Sequence, residues 1–253
     1  MIVLKSREEI DKMRRASAIV AEILEEVAAM VRPGVTTAEL DAFAEEETLR
    51  RGARPAFKGY VVGGRTYPAS ICVSINDEVV HGMPSPRRIL RDGDIVGLDF
   101  GVAWEGYYGD AAKTVAVGKI RPEAQRLMDV TAEALAAGID AMRAGRHIVD
   151  ISGAIQDVVE EAGYSVVREF VGHGIGRKLH EDPQVPNYRT SARGVRLNEG
   201  LVLAIEPMVN AGRPEVYVRD DGWTACTRDG CLSAHFEHSV AVTADGPYIL
   251  TVP

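Results

Sequence analysis

Four acids in this sequence stand where carboxylates are costly to keep. Asp99 closes the stretch Leu90-Arg-Asp-Gly-Asp-Ile-Val-Gly-Leu-Asp99, and Glu206 closes Leu197-Asn-Glu-Gly-Leu-Val-Leu-Ala-Ile-Glu206. An ionised carboxylate at the end of a buried strand loses hydration, so its pKa rises unless a cation or donors compensate. Asp110 lies 11 residues beyond Asp99, past a turn with Glu105 and Gly106, and a hairpin can return it to Asp99's neighbourhood. Glu237 has the matching place after Glu206, at the end of Cys231-Leu-Ser-Ala-His-Phe. Any one of these acids alone reads as a surface or salt-bridged group. Four at related strand positions cannot all ionise close together without positive charge, and no Lys or Arg cluster accompanies them. Two divalent cations supply that charge, because four carboxylates and one neutral imidazole carry −4 against +4.

The candidate imidazole lies in Val171-Gly-His173-Gly-Ile-Gly176-Arg-Lys-Leu-His180-Glu-Asp-Pro183, where His173 and His180 are seven residues apart. This segment reads as a glycine-rich turn. It resembles a phosphate cradle only loosely, lacking both the G-x-G-x-x-G spacing and a G-K-[ST] ending. A lone histidine is more often structural than a ligand. Three of them, counting His81 in Val80-His-Gly-Met-Pro84, favour function, since the adjacent glycines let a ligand approach the backbone. Neither H-E-x-x-H nor G-x-S-x-G occurs, which leaves zincin and serine-hydrolase chemistry without residues.

The elements that must position these side chains fall into two copies of one plan. Helical periodicity in Ile10, Met13, Ile19, Ile23 and Val27 runs to a stop at Pro33-Gly34, and Thr36 with Glu39 caps a second helix ending near Gly52. Helices from Pro122 to Gly145 and from about Ile148 to Ala162 repeat this order, so Arg32, Gly34, Leu40 and Gly52 recur as Arg143, Gly145, Ile151 and Gly163, all offset by 111 residues. The two strand stretches share an offset of 107 residues, which sets Asp99 opposite Glu206. The expected architecture is α+β: a single catalytic domain over 1–253 with two pseudo-symmetric halves, about 1–118 and 119–253, and a central antiparallel sheet covered by helices.

Composition narrows the partners. With 46% hydrophobic and 26% charged residues, the 253-residue chain is expected to fold, and its net charge of −8 lacks the basic stripe that a nucleic-acid backbone needs. Cys72, Cys226 and Cys231 are too few and too irregularly spaced for a disulfide framework, which fits a reducing cytoplasm. Ser6 to Glu9 forms a capping-box pattern rather than a signal peptide, and no apolar run approaches the ~18 residues of a membrane span.

The order Asp99, Asp110, His173, Glu206, Glu237, with His81 and His180 beside it, resembles the type I methionine aminopeptidases of the pita-bread fold. Gly172-His-Gly-Ile-Gly, His180-Glu-Asp-Pro, Ile205-Glu-Pro-Met208 and Phe236-Glu-His238 carry the resemblance, which covers nearly the whole chain. It implies that Asp99 holds one divalent metal and His173 with Glu206 the other, with Asp110 and Glu237 bridging both; Mn, Fe, Co and Zn all suit such donors. It implies Glu206 as proton shuttle, His180 as donor to the carbonyl oxygen and His81 as a contact to the scissile nitrogen, with a metal taking the free α-amine. Tyr60, Tyr67, Cys72, Leu179 and Trp223 are then expected to surround the methionine side chain. The alternative for all five is ordinary core packing, and for Cys72 and Leu179 taken singly the two readings are even. Substrates would be N-terminal Met peptides with a small second residue and nascent chains at the ribosome, and the protein would act as a monomer.

The short spacing of 31 residues between Glu206 and Glu237 leaves no room for the helical insertion of type II members, and the start of the chain resembles the minimal bacterial form. Three features depart from the pattern: a longer Tyr60–Tyr67 loop, Leu179 where many members have an aromatic, and His235 where Gln is common. The nearest rival is a relative that cleaves before proline with the same five ligands, though such relatives usually carry an extra N-terminal domain. A metal-free binding protein on the same fold is the rival of another class, and the presence of all five ligands with both histidines argues against it.

Overall fold

The structure, a computed structural model, describes residues 2–253. Helices α1 (Arg7–Met30) and α2 (Thr37–Arg50) come first. Short strands β1 (Arg54–Pro55), β2 (Val61–Val62) and β3 (Arg65–Thr66) precede β4 (Ile71–Ile75) and β5 (Glu78–Val80), and then a long hairpin, β6 (Ile95–Trp104) and β7 (Tyr107–Ala116). The second helix pair, α3 (Pro122–Ala141) and α4 (Ile148–Glu161), leads to β8 (Ser165–Val166), β9 (Gly172–Gly174) and β10 (Glu181–Val185). The remaining strands are β11 (Val202–Ile205), β12 (Met208–Asn210), β13 (Val216–Val218), β14 (Ala225–Thr227), β15 (Ser233–His235), β16 (Glu237–Thr243) and β17 (Gly246–Ile249).

Local chemistry fixes the helix starts. Ser6 with Glu9 and Thr36 with Glu39 form reciprocal capping boxes, and Pro122 opens α3 where its missing N–H is no loss. Expected to reach Gly145, α3 instead stops at Ala141, because Gly145 turns away to donate its N–H to Leu197 O at 2.8 Å. Leu197 N–H donates back to Arg146 O at 2.7 Å. The same reciprocal pair occurs in the first half, with Gly34 N–H on Leu90 O at 2.9 Å and Leu90 N–H on Val35 O at 2.8 Å. The sequence repeat is thus a repeat of hydrogen bonds, and the two halves are pseudo-symmetric.

Nine strands form one antiparallel sheet in which β1, β6, β7, β16, β11, β9 and β10 lie side by side, with β4 on β6 and β17 on β16. Strand alternation sends one face to the helices. Val96, Leu98, Phe100 and Val102 of β6 join Ile71 and Val73 of β4 in a core with α1 and α2. Leu203, Ile205, Val240 and Val242 do the same with α3 and α4. Leu98 and Phe100 are fully buried there, and truncating such a side chain to Ala costs about 2–5 kcal/mol. The other face collects the chemistry.

Two expectations change in this setting. Asp99 lies inside β6 rather than at its end, because Phe100 and Val102 go on feeding the helix-side core while alternate residues face away. The His173 segment is a strand, a turn and a second strand rather than one glycine-rich turn. Its glycines serve neighbouring backbone, since a Cβ at Gly172 would collide with Ala204 O and one at Gly174 with Asp182 O.

Candidate metal centre

Strand register brings the acids together. Cys72, Asp99, Ala112 and Glu237 are successive partners across β4, β6, β7 and β16, so their side chains share the face opposite the helices. Asp110, two residues before Ala112, projects from the same side. Its partner is Gly101, where a Cβ would press to 3.1 Å against Asp110 Oδ1. Ser239, Ala204 and His173 form the next row across β16, β11 and β9, and Glu206 directly follows β11. Glu237, expected after an apolar run, begins β16.

Second contacts hold this arrangement. Asp110 N–H donates to Ser239 Oγ at 3.3 Å, and Ser239 Oγ–H donates to Asp110 O at 2.8 Å. Buried Asn187 donates its amide to Glu206 O at 3.0 Å. His173 Nδ1 lies 2.9 Å from Gly174 O, and a carbonyl only accepts, so Nδ1 carries the proton and Nε2 offers its lone pair to the cluster.

One ligand atom each from Asp110, His173 and Glu237 falls within 4.8 Å of the others. Glu206 joins this set through Oε1, 3.4 Å from His173 Nε2, while Asp110 Oδ2 is 3.9 Å from that nitrogen. Asp99 stands outside the compact trio and reaches the site along its strand row. Burial lifts the Asp99 carboxyl to about 7, and burial with mutual repulsion lifts Asp110, Glu206 and Glu237 well above the ordinary range. Burial also holds the His173 imidazole down to about 3, in the neutral form a ligand requires.

A divalent cation fits these donors. Asp110 Oδ1 and Glu237 Oε1 are buried without a hydrogen-bond partner, and among the described residues no Lys or Arg pairs with the four acids. Oxygen donors with one imidazole suit a hard to intermediate metal.

All seven polar candidates, His81 and His180 included, line one cavity of about 490 Å³. Its other end is apolar and neutral. Tyr60, Tyr67, Cys72, Leu179 and Trp223 meet there, with Tyr67 edge-on to Trp223 at 5.2 Å. Tyr67 donates its hydroxyl toward Gly82 O at 3.1 Å, and burial keeps the Cys72 thiol protonated. His81 is held at a positive φ of 60°, an uncommon conformation for a residue with a Cβ, and packs edge-on against Phe170 at 5.3 Å. Burial lowers its pKa to about 4.

His235 acquires a place: its buried Nε2, without a hydrogen-bond partner, lies 3.7 Å from Glu206 Oε2. Phe57, Phe170 and Gln184 also line the cavity and were not anticipated. Phe170 immediately precedes the Val171-Gly-His173 motif, which is a signal; Phe57 sits in an irregular turn and offers none.

Residues 11–244 match the model of metallopeptidase family M24. The chain is 51% identical over 252 residues to the methionine aminopeptidase of Clostridium perfringens, an alignment covering 100% of this chain and 99% of that one. The methionine aminopeptidase of Clostridium acetobutylicum is 50% identical over 252 residues, with the same coverage. Among solved structures, the methionine aminopeptidase of Thermotoga maritima superposes with a TM-score of 0.96 at 45% identity, covering 100% of both chains.

Proposed function

The chain belongs to metallopeptidase family M24, and on that premise we propose that it hydrolyses the first peptide bond of chains beginning with methionine, using two divalent metal ions. One observation carries this reading: a single cavity joins an acidic, ligand-bearing floor to a neutral pocket lined by aromatic rings and the Cys72 thiol. Methionine suits that pocket, since its thioether packs favourably against aromatic rings and needs no counter-charge.

Asp110 and Glu237 would be shared by both ions, Asp99 would serve one, and His173 with Glu206 the other. Bound divalent metal supplies Lewis acidity, which polarises a carbonyl and makes hydroxide available near neutral pH. The protein's own groups do the rest. Glu206 takes the proton from the attacking water and passes it to the leaving amine. His180 donates a hydrogen bond to the carbonyl oxygen as charge develops there, and His81 contacts the scissile nitrogen. The free α-amine would be held at the metal centre, which would limit cleavage to the terminal residue. A small second residue is the expected preference, since the residue after methionine would have to sit beside His81 and His180, which line the same cavity.

The catalytic unit spans both halves, about 1–118 and 119–253, since ligands come from each. We place the protein as a monomer in the cytoplasm, acting on chains as they leave the ribosome; three free cysteines suit a reducing compartment. No helix among the described residues is long and apolar enough to cross a membrane. Peptides Met-Ala-Ser and Ala-Pro-Ser separate this reading from the proline-directed rival: release of methionine only, with added Mn or Co, is expected, and cleavage of Ala-Pro-Ser at a comparable rate overturns it.

A further inference from the structure

His173 and His180 pack with ring centroids 4.3 Å apart and planes inclined at 52°, yet only His173 joins the compact ligand set. Their Nδ1 partners differ. His173 Nδ1 meets the Gly174 carbonyl, an obligatory acceptor, whereas His180 Nδ1 lies 2.7 Å from the Tyr60 hydroxyl. The hydrogen bond at one ring nitrogen determines which form the other nitrogen takes.

We propose that Tyr60 is a positioning residue that donates its phenolic proton to His180 Nδ1, so that His180 carries its own proton on Nε2. A phenol O–H is a ready donor to an imidazole lone pair, and among the described residues the Tyr60 hydroxyl has no other hydrogen bond. The consequence is a sorting of two neighbouring rings. His173 presents a lone pair and can ligate; His180 presents an N–H and cannot, so it stays a donor. This rests on the substrate-facing role assigned to His180 above.

Tyr60 is held in place by the longer loop. Its N–H donates to Phe57 O at 2.9 Å, and its carbonyl accepts from Tyr67 N–H at 2.8 Å, closing the stem of the β2–β3 hairpin. The turn is Gly63-Gly64, at φ 56° and 80°, the pair of left-handed residues that a two-residue hairpin turn favours. Beyond it, Arg65 seats its guanidinium against Gly222, where a Cβ would overlap it, beside the pocket residue Trp223. The hairpin therefore reaches from Tyr60, on His180, to Gly222 beside Trp223.

The test reads the ring nitrogens directly, by long-range proton–nitrogen spectra of metal-free wild type and Tyr60→Phe, which keeps the aromatic ring. Wild type should show His173 protonated on Nδ1 and His180 on Nε2, and Tyr60→Phe should redistribute the His180 proton alone. In parallel, kcat on Met-Ala-Ser should fall about five- to tenfold, the scale of one lost neutral hydrogen bond, with KM and metal content little changed. A wild-type His180 protonated on Nδ1 overturns the assignment. So does a His180 tautomer, or a kcat, that Tyr60→Phe leaves unchanged. The spectra need no turnover, so failure of the aminopeptidase reading would appear separately, as absent activity with the tautomers as assigned.

Discussion

Asp110 and Glu237 project from the adjacent strands β7 and β16, and each buries a carboxylate oxygen that no donor reaches. Shared ligation of two ions, as proposed, would satisfy both oxygens. Asp110→Asn should therefore lose metal at two positions and not one, and activity should fall below detection. Metal content by mass spectrometry, with circular dichroism to confirm folding, checks this; a variant that keeps one equivalent of metal would refute the bridging role.

The two neighbouring histidines should separate by substitution. His180→Ala is expected to keep near-normal metal content and KM while kcat falls by ~10² or more, as for a contact made mainly in the transition state. His173→Ala should lose metal instead. If both variants lost metal alike, His180 would have to be counted among the ligands.

Much of this site was legible in the sequence because strand register converts spacing into geometry. Asp99 and Asp110 straddle the Glu105-Gly106 turn, and Glu206 and Glu237 repeat the plan, so four positions in the chain specify one face. What spacing could not carry is contact between segments far apart in the chain. The Tyr60 hydroxyl meets His180 across 120 residues, and His235 meets Glu206 from a different sheet. The glycines show the same limit: Gly172 and Gly174 admit neighbouring strands, a packing demand invisible without the sheet. The apolar run ending at Asp99 points to a strand end, yet Phe100 and Val102 continue the strand beyond it.

An unblocked substrate terminus should be essential. The metal centre would take the α-amine, and formyl-Met or acetyl-Met peptides replace that amine with a bulkier, poorly ligating amide. Rates on blocked and free Met-Ala-Ser, followed by chromatography, should differ by about two orders of magnitude or more if the amine contact orients the reacting bond. Comparable rates would mean that the amine is not bound there.

Asp99 tests the electrostatics through pH. Burial lifts its carboxyl from the ordinary 3.8 to about 7 in the metal-free protein. Between these values the folded state holds a proton that the unfolded state has released, so this group weakens the fold as pH rises through that window. Buried histidines act oppositely, because His173 and His235, held near 3, favour folding as pH rises toward 6.5. Asp99→Asn, compared with metal-free wild type, removes this acid together with the repulsion it adds at Asp110, Glu206 and Glu237. By thermal unfolding, the variant's advantage should grow from about pH 4 to 7 and then level off; an advantage that shrinks over that window contradicts the raised carboxyl.

This cavity should remove terminal methionine only when its acids are neutralised by metal. Methionine release from Met-Ala-Ser, measured as Mn or Co is titrated into exhaustively chelated protein, tests it most directly. Release should be absent at the start and rise with added metal until two equivalents are bound. Full turnover by the chelated protein, or no release at any metal level, would contradict the account.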